Sequence, residues 1–458
     1  MSAVVEPMPG EELATSPAAV EGVSNPPLGP APAEGGTRRV LIIVQNLSVP
    51  LDRRVWQECR ALTAAGYGVS VICPKGPGEA SFELLEGVRI HRYTPPPVAK
   101  GFAGYAGEFA YCWLRTAALS VKVARQEGFD AIQACNPPDT YWALALPYKL
   151  TGTRFVFDQH DLNPEVYASR FGKAEGLLYN GLLALERATY KVADHVISTN
   201  ESYRNVALGR GKQSPEGVSV VRSGPDATTM VRGEPVPELR KGRKHLLAYL
   251  GIMGPQDGVD GVLLAMRRLV DAGRDDAHLA LLGFGDCLED LKVLATELDL
   301  DDYVTFTGRV GPTEIRDYLS TASVGLSPDP LSPLNDVSTM NKTLEYMAFE
   351  LPVVAFDLKE TQVSAGDAAV YVPDGDFDGY AAAVSELLDD EERRREMGQR
   401  GRRRIEDEFA WQHQAPRYVE VFRSLLGAPD AVEAPAAPGK RRERMRLVTT
   451  QLLNGRAR

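Results

Sequence analysis

The chain's apolar residues come in short unbroken runs, and most runs are followed by a stretch with helical spacing. RVLIIVQ (39–45), VSVIC (69–73), VRIHRY (88–93), DAIQA (130–134), RFVFD (154–158), HVIST (195–199) and VSVV (218–221) read as strands. Runs this apolar, without alternation, are buried on both faces, as in a parallel sheet. Asp52 caps a helix carrying Val55, Cys59, Leu62 and Ala65 on one face, and Gly66 ends it. Further helical patterns lie at 103–126, 139–150, 174–193 and 200–209. Such βα alternation predicts an α/β fold with a mostly parallel sheet covered by helices.

The pattern then repeats. Residues 232–244 are polar with Pro and Gly and read as an interdomain linker. Strands follow at 245–251, 278–283, 303–308, 323–328, 352–356 and 369–372, with helices at 257–271, 286–298, 312–320, 339–349, 376–389 and 391–407. A last helix, 410–426, carries Trp411, Tyr418, Val419, Phe422 and Leu425 at helical spacing. The expected architecture is two Rossmann-like domains, 38–231 and 245–407, facing a cleft, with a crossing segment 408–427. In open α/β sheets ligands bind outside the C-terminal strand ends, and domain interfaces are favoured sites. The loops after each strand are therefore the places to look for chemistry.

Composition narrows the function. The formal net charge of −11 argues against a general nucleic-acid binder, which needs a basic face for phosphates. Cys59, Cys73, Cys112, Cys135 and Cys287 are widely spaced, with no CxxC, and read as reduced core thiols of a cytoplasmic protein. No apolar run is long enough to span a membrane, and the N-terminus lacks a secretory pattern. Residues 1–37 are rich in Pro, Ala, Glu and Gly and read as a disordered tail. Residues 428–439 read as a linker, and 440–458 hold seven basic residues and one acid. That tail is either a solvated basic segment or a contact with an anionic membrane surface, which would make the protein peripheral at the inner membrane face.

NDVSTMNKTLEYMAFELPVVAFD (335–357) carries the most chemistry. Ser338 or Thr339 is placed to cap the following helix, whose N-terminus suits a diphosphate. Lys342 lies in the first turn, against the helix dipole, and a bound phosphate would justify it. Glu345 shares a face with Asn341 and Lys342 and offers a carboxylate to a ribose diol; the alternative is a Lys342–Glu345 surface pair.

N-K-x-x-E-Y-M-A followed by P-V-V-A-F-D resembles the donor-site helix of retaining glycosyltransferases of the GT-B fold, family 4 (group 1), and the resemblance spans about residues 39–427. It implies that Glu345 holds the donor ribose and Lys342 approaches the diphosphate. LAYLGIMGPQDGVDGVLLAM (247–266) resembles the first strand–loop–helix of the C-terminal domain, where Gly251 and Gly254 let backbone approach a phosphate. Met253 and Gln256 stand where the family has Arg and Lys, so two cations are missing and Lys342 is expected to compensate. The second acid of the family's E-x7-E is Glu345; the first position is Val337, and Asp336, one residue off, is the candidate to face the transferred sugar. FTGRV (306–310) resembles the base-binding loop, with Arg309 and Val310 as candidates. GFGD (283–286) begins like a dinucleotide loop, but Leu288 falls where the third glycine is needed, which discounts an NAD oxidoreductase.

In the N-terminal half, RFVFDQHDLNPEVYASRFG (154–172) resembles the segment where the family places a histidine near the sugar. His160 is the candidate, with Asp161 and Glu165 orienting it or touching acceptor. QNLSVPLDRRVWQECRALTAAGYGVSVICP (45–74) resembles the family's first loop and helix. Asn46, Arg53 and Arg54 there either meet an anionic acceptor or form a solvated first turn. Asn136, after another strand, is a further acceptor candidate.

The resemblance implies transfer, with retention, from a nucleotide sugar, UDP-linked, to a glycan or lipid-linked acceptor in cell-surface polysaccharide or glycolipid synthesis. No acidic post-strand loop is read as a metal clamp, so neither metal nor cofactor is expected, the nucleotide sugar being a substrate. A sugar-nucleotide 2-epimerase on the same fold and a catalytically weak nucleotide-sugar-binding scaffold are the rival readings.

Overall fold

The structure, a computed structural model, describes residues 38–96 and 101–429. The expected tails at 1–37 and 440–458 lie outside the described residues. Fourteen strands form two sheets. The first holds β1 (Arg39–Ile43), β2 (Gly68–Pro74), β3 (Phe82–Leu85), β4 (Val88–Tyr93), β5 (Ala131–Cys135), β6 (Arg154–Gln159), β7 (His195–Ser198) and β8 (Val218–Val220) in the order β3-β4-β2-β1-β5-β6-β7-β8. The second holds β9 (His245–Leu250), β10 (Ala277–Leu282), β11 (Val304–Gly308), β12 (Val324–Ser327), β13 (Val353–Phe356) and β14 (Ala369–Val372) in the order β11-β10-β9-β12-β13-β14. All described pairings are parallel except β3 with β4. In each sheet the strand order reverses about the first strand, so the loops after β1 and β5, and after β9 and β12, flank a switch point.

The apolar runs are strands because both faces are covered. β5, β9 and β10 are buried throughout. Asp52 accepts a hydrogen bond from Val55 N and caps the helix Arg53–Ala64, which buries Val55, Cys59 and Leu62.

The sequence reading lacked three elements. β3 is a short antiparallel edge strand closed onto β4 by Glu86 and Gly87, at φ of 49° and 85°. Two residues at positive φ make the turn whose twist matches a hairpin. A helix Asn163–Phe171 opens on Asn-Pro, and another runs Lys359–Ala365. The linker 232–244 is not free chain: Gly233 N and Val236 N donate to the hydroxyls of Ser320 and Thr321 on the second domain.

The helix Glu391–Arg404 opens into a wider turn, Ile405–Phe409, and the chain re-enters helix at Trp411–Leu426. This last helix lies on the first domain, where Tyr418, Val419, Val421 and Phe422 pack with Val55, Cys59, Leu62 and Val69. Outgoing and returning chains cross at Gly224, where a Cβ would stand 1.9 Å from the Phe409 carbonyl oxygen. Trp411 N donates to Pro225 O beside it.

Candidate active site

The site is built from loops at the C-terminal strand ends of both sheets. Asn136, after β5, uses all its hydrogen-bonding capacity. Its Nδ2 donates to Asp139 Oδ1 and Asp161 O, and its Oδ1 accepts from His160 N and Asp161 N. Its side chain is thus engaged in fixing the turn that carries His160. Asp139 also accepts from Asn163, and burial pushes its carboxyl up to about 7.

His160 Nε2 lies 2.7 Å from Asp158 Oδ2 and 3.1 Å from Arg54 Nε. Its Nδ1 has no hydrogen-bond partner among the described residues. Asp158 and Glu58 are buried with Arg54 between them, Arg54 Nη2 reaching Asp158 at 2.8 Å and Nε reaching Glu58 at 3.1 Å. Burial opposes every charge here. Arg54 and His160 nonetheless hold Asp158 well below the usual carboxylate range, while burial and Asp158 push Glu58 up. Gln133 donates to both carboxylates. Arg54 is therefore the cation of a buried network, with Arg54 and Glu58 one turn apart on the helix face turned to β6. Cys135, Asp158 and His160 offer ligand atoms within 4.8 Å of one another. The guanidinium of Arg54 already supplies positive charge at that point.

Glu165 is also committed. It takes a two-point pair from Arg210 at 2.6 and 3.0 Å, and Arg210 reaches Glu186 as well, so Glu165 ties its helix to its own domain. Asp161 has no side-chain partner among the described residues, and burial raises its carboxyl. Asn46 is half-buried on the loop after β1.

Across the cleft, the helix Asn341–Ala348 starts at Met340, with no side-chain cap. Ser338 and Thr339 do not cap it. The Ser338 hydroxyl bonds Leu334 O and Tyr203 Oη, and Thr339 Oγ1 accepts from Asn200 Nδ2. Asn200 also holds Val337 O, at 2.9 Å. Arg222 reaches Thr339 and Glu360 while lying over the Phe409 ring. The first domain thus holds the loop before this helix through Asn200, Tyr203 and Arg222. None of the three stood out in the sequence.

Lys342 is buried, 2.5 Å from Asp329 and 3.9 Å from Asp257, below the Tyr249 ring. Burial works against its charge, but the two carboxylates outweigh it and hold the ammonium protonated. The compensating phosphate cation expected here is thus already matched by internal acids. Asp257 itself is pushed up to about 6 by burial. The sign that sequence offered was an acid directly after an apolar strand, as at Asp329 and Asp158.

Met253 is fully buried in the second domain's core, which corrects its place among donor contacts. Its N–H and C=O are used by Phe284 O and Cys287 N. Gly283 and Gly285 allow this: a Cβ on either would stand 1.8 Å from Gly251 O or 2.5 Å from Met253 O. GFGD therefore serves close backbone packing beneath the Gly251–Gly254 loop. Gly254 N donates to Asp257 Oδ2. Asp336, in the turn Asn335–Val337, accepts from Lys359 N and so caps the next helix. Arg309 stacks over Phe284, Val310 is half-buried against the second domain's core, and Asn341 is exposed at the helix start. The acids after β14 are engaged structurally, Asp374 with Leu331 N and Asp376 as a helix cap.

Besides Arg222–Glu360, two ion pairs among the described residues bridge the domains. Arg170 meets Asp286 at 2.7 Å, and Arg53 Nη2 meets Glu345 Oε1 at 2.5 Å. The Glu345 side chain is 8% exposed and its Oε2 has no hydrogen-bond partner among the described residues, whereas Arg53 is 63% exposed. Adjacent arginines thus reach both halves: Arg54 turns in to His160, and Arg53 crosses to Glu345.

Two facing Rossmann-like domains tied by a returning C-terminal helix define a GT-B glycosyltransferase. Residues 51–224 match the family described as glycosyl transferase 4-like domain, and 244–390 the family described as glycosyl transferases group 1. The chain is 30% identical over 336 residues to alpha-maltose-1-phosphate synthase of Mycolicibacterium smegmatis, covering 67% of this chain and 83% of that protein. It is 31% identical over 217 residues to a GDP-mannose-dependent alpha-(1-6)-phosphatidylinositol monomannoside mannosyltransferase of Mycobacterium tuberculosis, covering 46% of this chain and 54% of that one. Among solved structures, sucrose-phosphate synthase from Thermosynechococcus elongatus aligns with a TM-score of 0.70 at 20% identity, over 85% of this chain and 100% of that one. Anabaena Alr3699/HepE in complex with UDP and glucose aligns at 0.64 and 16%, over 85% of this chain and 100% of that one. At these identities the two structures establish the fold. The protein belongs to the group 1, family 4 glycosyltransferases. No helix among the described residues is long and apolar enough to cross a membrane.

Proposed function

We propose that the protein transfers a sugar, with retention, from a UDP-linked donor to a glycan or lipid-linked acceptor in cell-surface polysaccharide or glycolipid synthesis. The observation that carries the reading is Glu345, a buried carboxylate facing the cleft with one oxygen unpartnered, where a ribose diol would supply two hydrogen bonds. The base would lie against Arg309 and Val310, and the diphosphate over the Gly251–Gly254 loop and the uncapped helix at Asn341. His160 and Asp161 would meet the transferred sugar and acceptor from the other side. Asp336, capping a helix, would reach the sugar only after giving up Lys359 N. The GDP-mannose-dependent relative favours guanine as the competing base.

Thermal stability against a panel of nucleoside diphosphates, for wild type and Glu345→Ala, tests the donor site. A ligand at a hundredfold excess over Kd adds about 2.7 kcal/mol. One nucleotide should stabilise wild type and lose most of its effect on the variant; equal response in both would overturn the assignment. Incubation with the matching nucleotide sugar then separates classes. Slow hydrolysis supports a transferase, an isomerised sugar nucleotide supports the epimerase, and binding without turnover supports the scaffold. The anomeric configuration of the product decides retention. The basic tail 440–458 would hold the enzyme at an anionic membrane surface, and unchanged liposome binding after its deletion would refute that.

A further inference from the structure

The cations around the proposed donor site, from both domains, are already engaged. Lys342 is buried against Asp329 and Asp257, and Met253 and Gln256 carry no charge. Arg309 stacks on the Phe284 ring, Arg170 pairs with Asp286, and Arg222 lies against Glu360. A ligand with two phosphates needs fixed charge or oriented donors where its own charge sits. Arg53 is differently placed. It reaches Glu345 through one Nη2 bond, and its side chain is more than half exposed.

We infer that Arg53 is the diphosphate ligand of this enzyme, supplied by the acceptor-side domain and parked on Glu345 while the site is empty. The inference rests on the donor-site reading above. When a nucleotide enters, its ribose hydroxyls take over Glu345, including the orphaned Oε2. Arg53 is then released beside Arg54, whose Nε lies 3.1 Å from His160, on the side of the cleft opposite the helix Asn341–Ala348. Its planar fork of N–H donors can hold two phosphate oxygens at once, and it is charged at any working pH. The exchange swaps one partner for another at both residues, so neither is left unpaired at any stage. It also makes diphosphate binding depend on the two domains being together.

Titration calorimetry with UDP, GDP, uridine and guanosine tests this on wild type, Arg53→Ala, Arg53→Lys and Glu345→Ala. Arg53→Ala should weaken the bound diphosphate at least tenfold and flatten its dependence on salt. The matching nucleoside should bind this variant as tightly as wild type or more tightly, because Glu345 is unmasked. Arg53→Lys should restore part of the diphosphate affinity. Glu345→Ala should weaken nucleoside and diphosphate alike. Equal loss of nucleoside and diphosphate in Arg53→Ala, or no loss of either, overturns the assignment to Arg53 and leaves the donor site standing. Binding of no nucleotide by wild type overturns the donor-site reading and this inference with it.

Discussion

Tyr418, on the last helix, donates its hydroxyl to Gln133 Oε1 in the middle of the first sheet, at 2.5 Å. Gln133 in turn donates to Glu58 and Asp158. The returning chain is thus bonded into the network that ends at His160. Tyr418→Phe leaves a buried amide oxygen unpaired, which costs about 1–3 kcal/mol. Urea unfolding should show that loss. His160 should also become more mobile, read by its ring signals in NMR.

Arg53 and Arg54 are neighbours with different expectations. Arg54→Met removes the cation between two buried carboxylates, and loss of one partner of a buried pair costs about 3–5 kcal/mol. The variant should be recovered in much lower yield or unfold at far lower denaturant. Arg53→Ala takes away the partner of one buried Glu345 oxygen and leaves the core intact, so it should cost about 1–3 kcal/mol, less than Arg54→Met in the same experiment.

Asp139 supplies a pH signature. Its carboxyl is raised by burial from 3.8 to about 7, so the folded state binds the proton more tightly than the unfolded chain. Its contribution is most favourable below the unfolded value and is lost as pH rises towards 7, at about 1.4 kcal/mol per pKa unit. Asp139→Asn should flatten the stability profile between pH 4 and 7 relative to wild type. Parallel profiles would contradict the assignment.

Lys342→Met leaves Asp329 and Asp257 buried without their cation. Stability at pH 8 should fall by about 3–5 kcal/mol. The deficit should shrink as pH drops, because Asp257, already near 6, can then take up a proton. A deficit independent of pH between 5 and 8 would show that packing, not charge, is what Lys342 supplies.

The fold was legible because nearly every strand is an apolar run and nearly every helix has a marked face. Asp52 could be read as a cap and the strands 369–372 and 88–93 to the residue. The hairpin at Glu86–Gly87 was missed because its strand alternates and is short. The site was legible only as far as position along the chain. Lys342 and Glu345 stand on one helix face, but their true partners are Asp329 and Arg53, the latter 292 residues away in sequence. Arg54, Asn136 and Glu165 carry the residue types of a ligand site, yet each is saturated by neighbours from other elements. Partner identity is set by how strands stack in the sheet, which local pattern does not encode. Met253 was misplaced for a different reason: alignment to a motif position says nothing of which way a side chain points, and an apolar one turns to the core.

The crossing at Gly224 and Phe409 has a mechanical consequence. Two separate tethers would let the domains slide, twist and drift apart independently. Here both strands of the connection meet backbone to backbone at Gly224, and Arg402 and Gln412 bond the same short stretch at Ala227, Met230 and Asp226. A joint of that kind resists translation and passes rotation, so it acts as a fulcrum. Surfaces near it stay in register while the far lips of the jaw travel furthest. A small turn at the pivot is then enough to open a wide mouth, and the same turn reversed brings both lips back to one fixed registration.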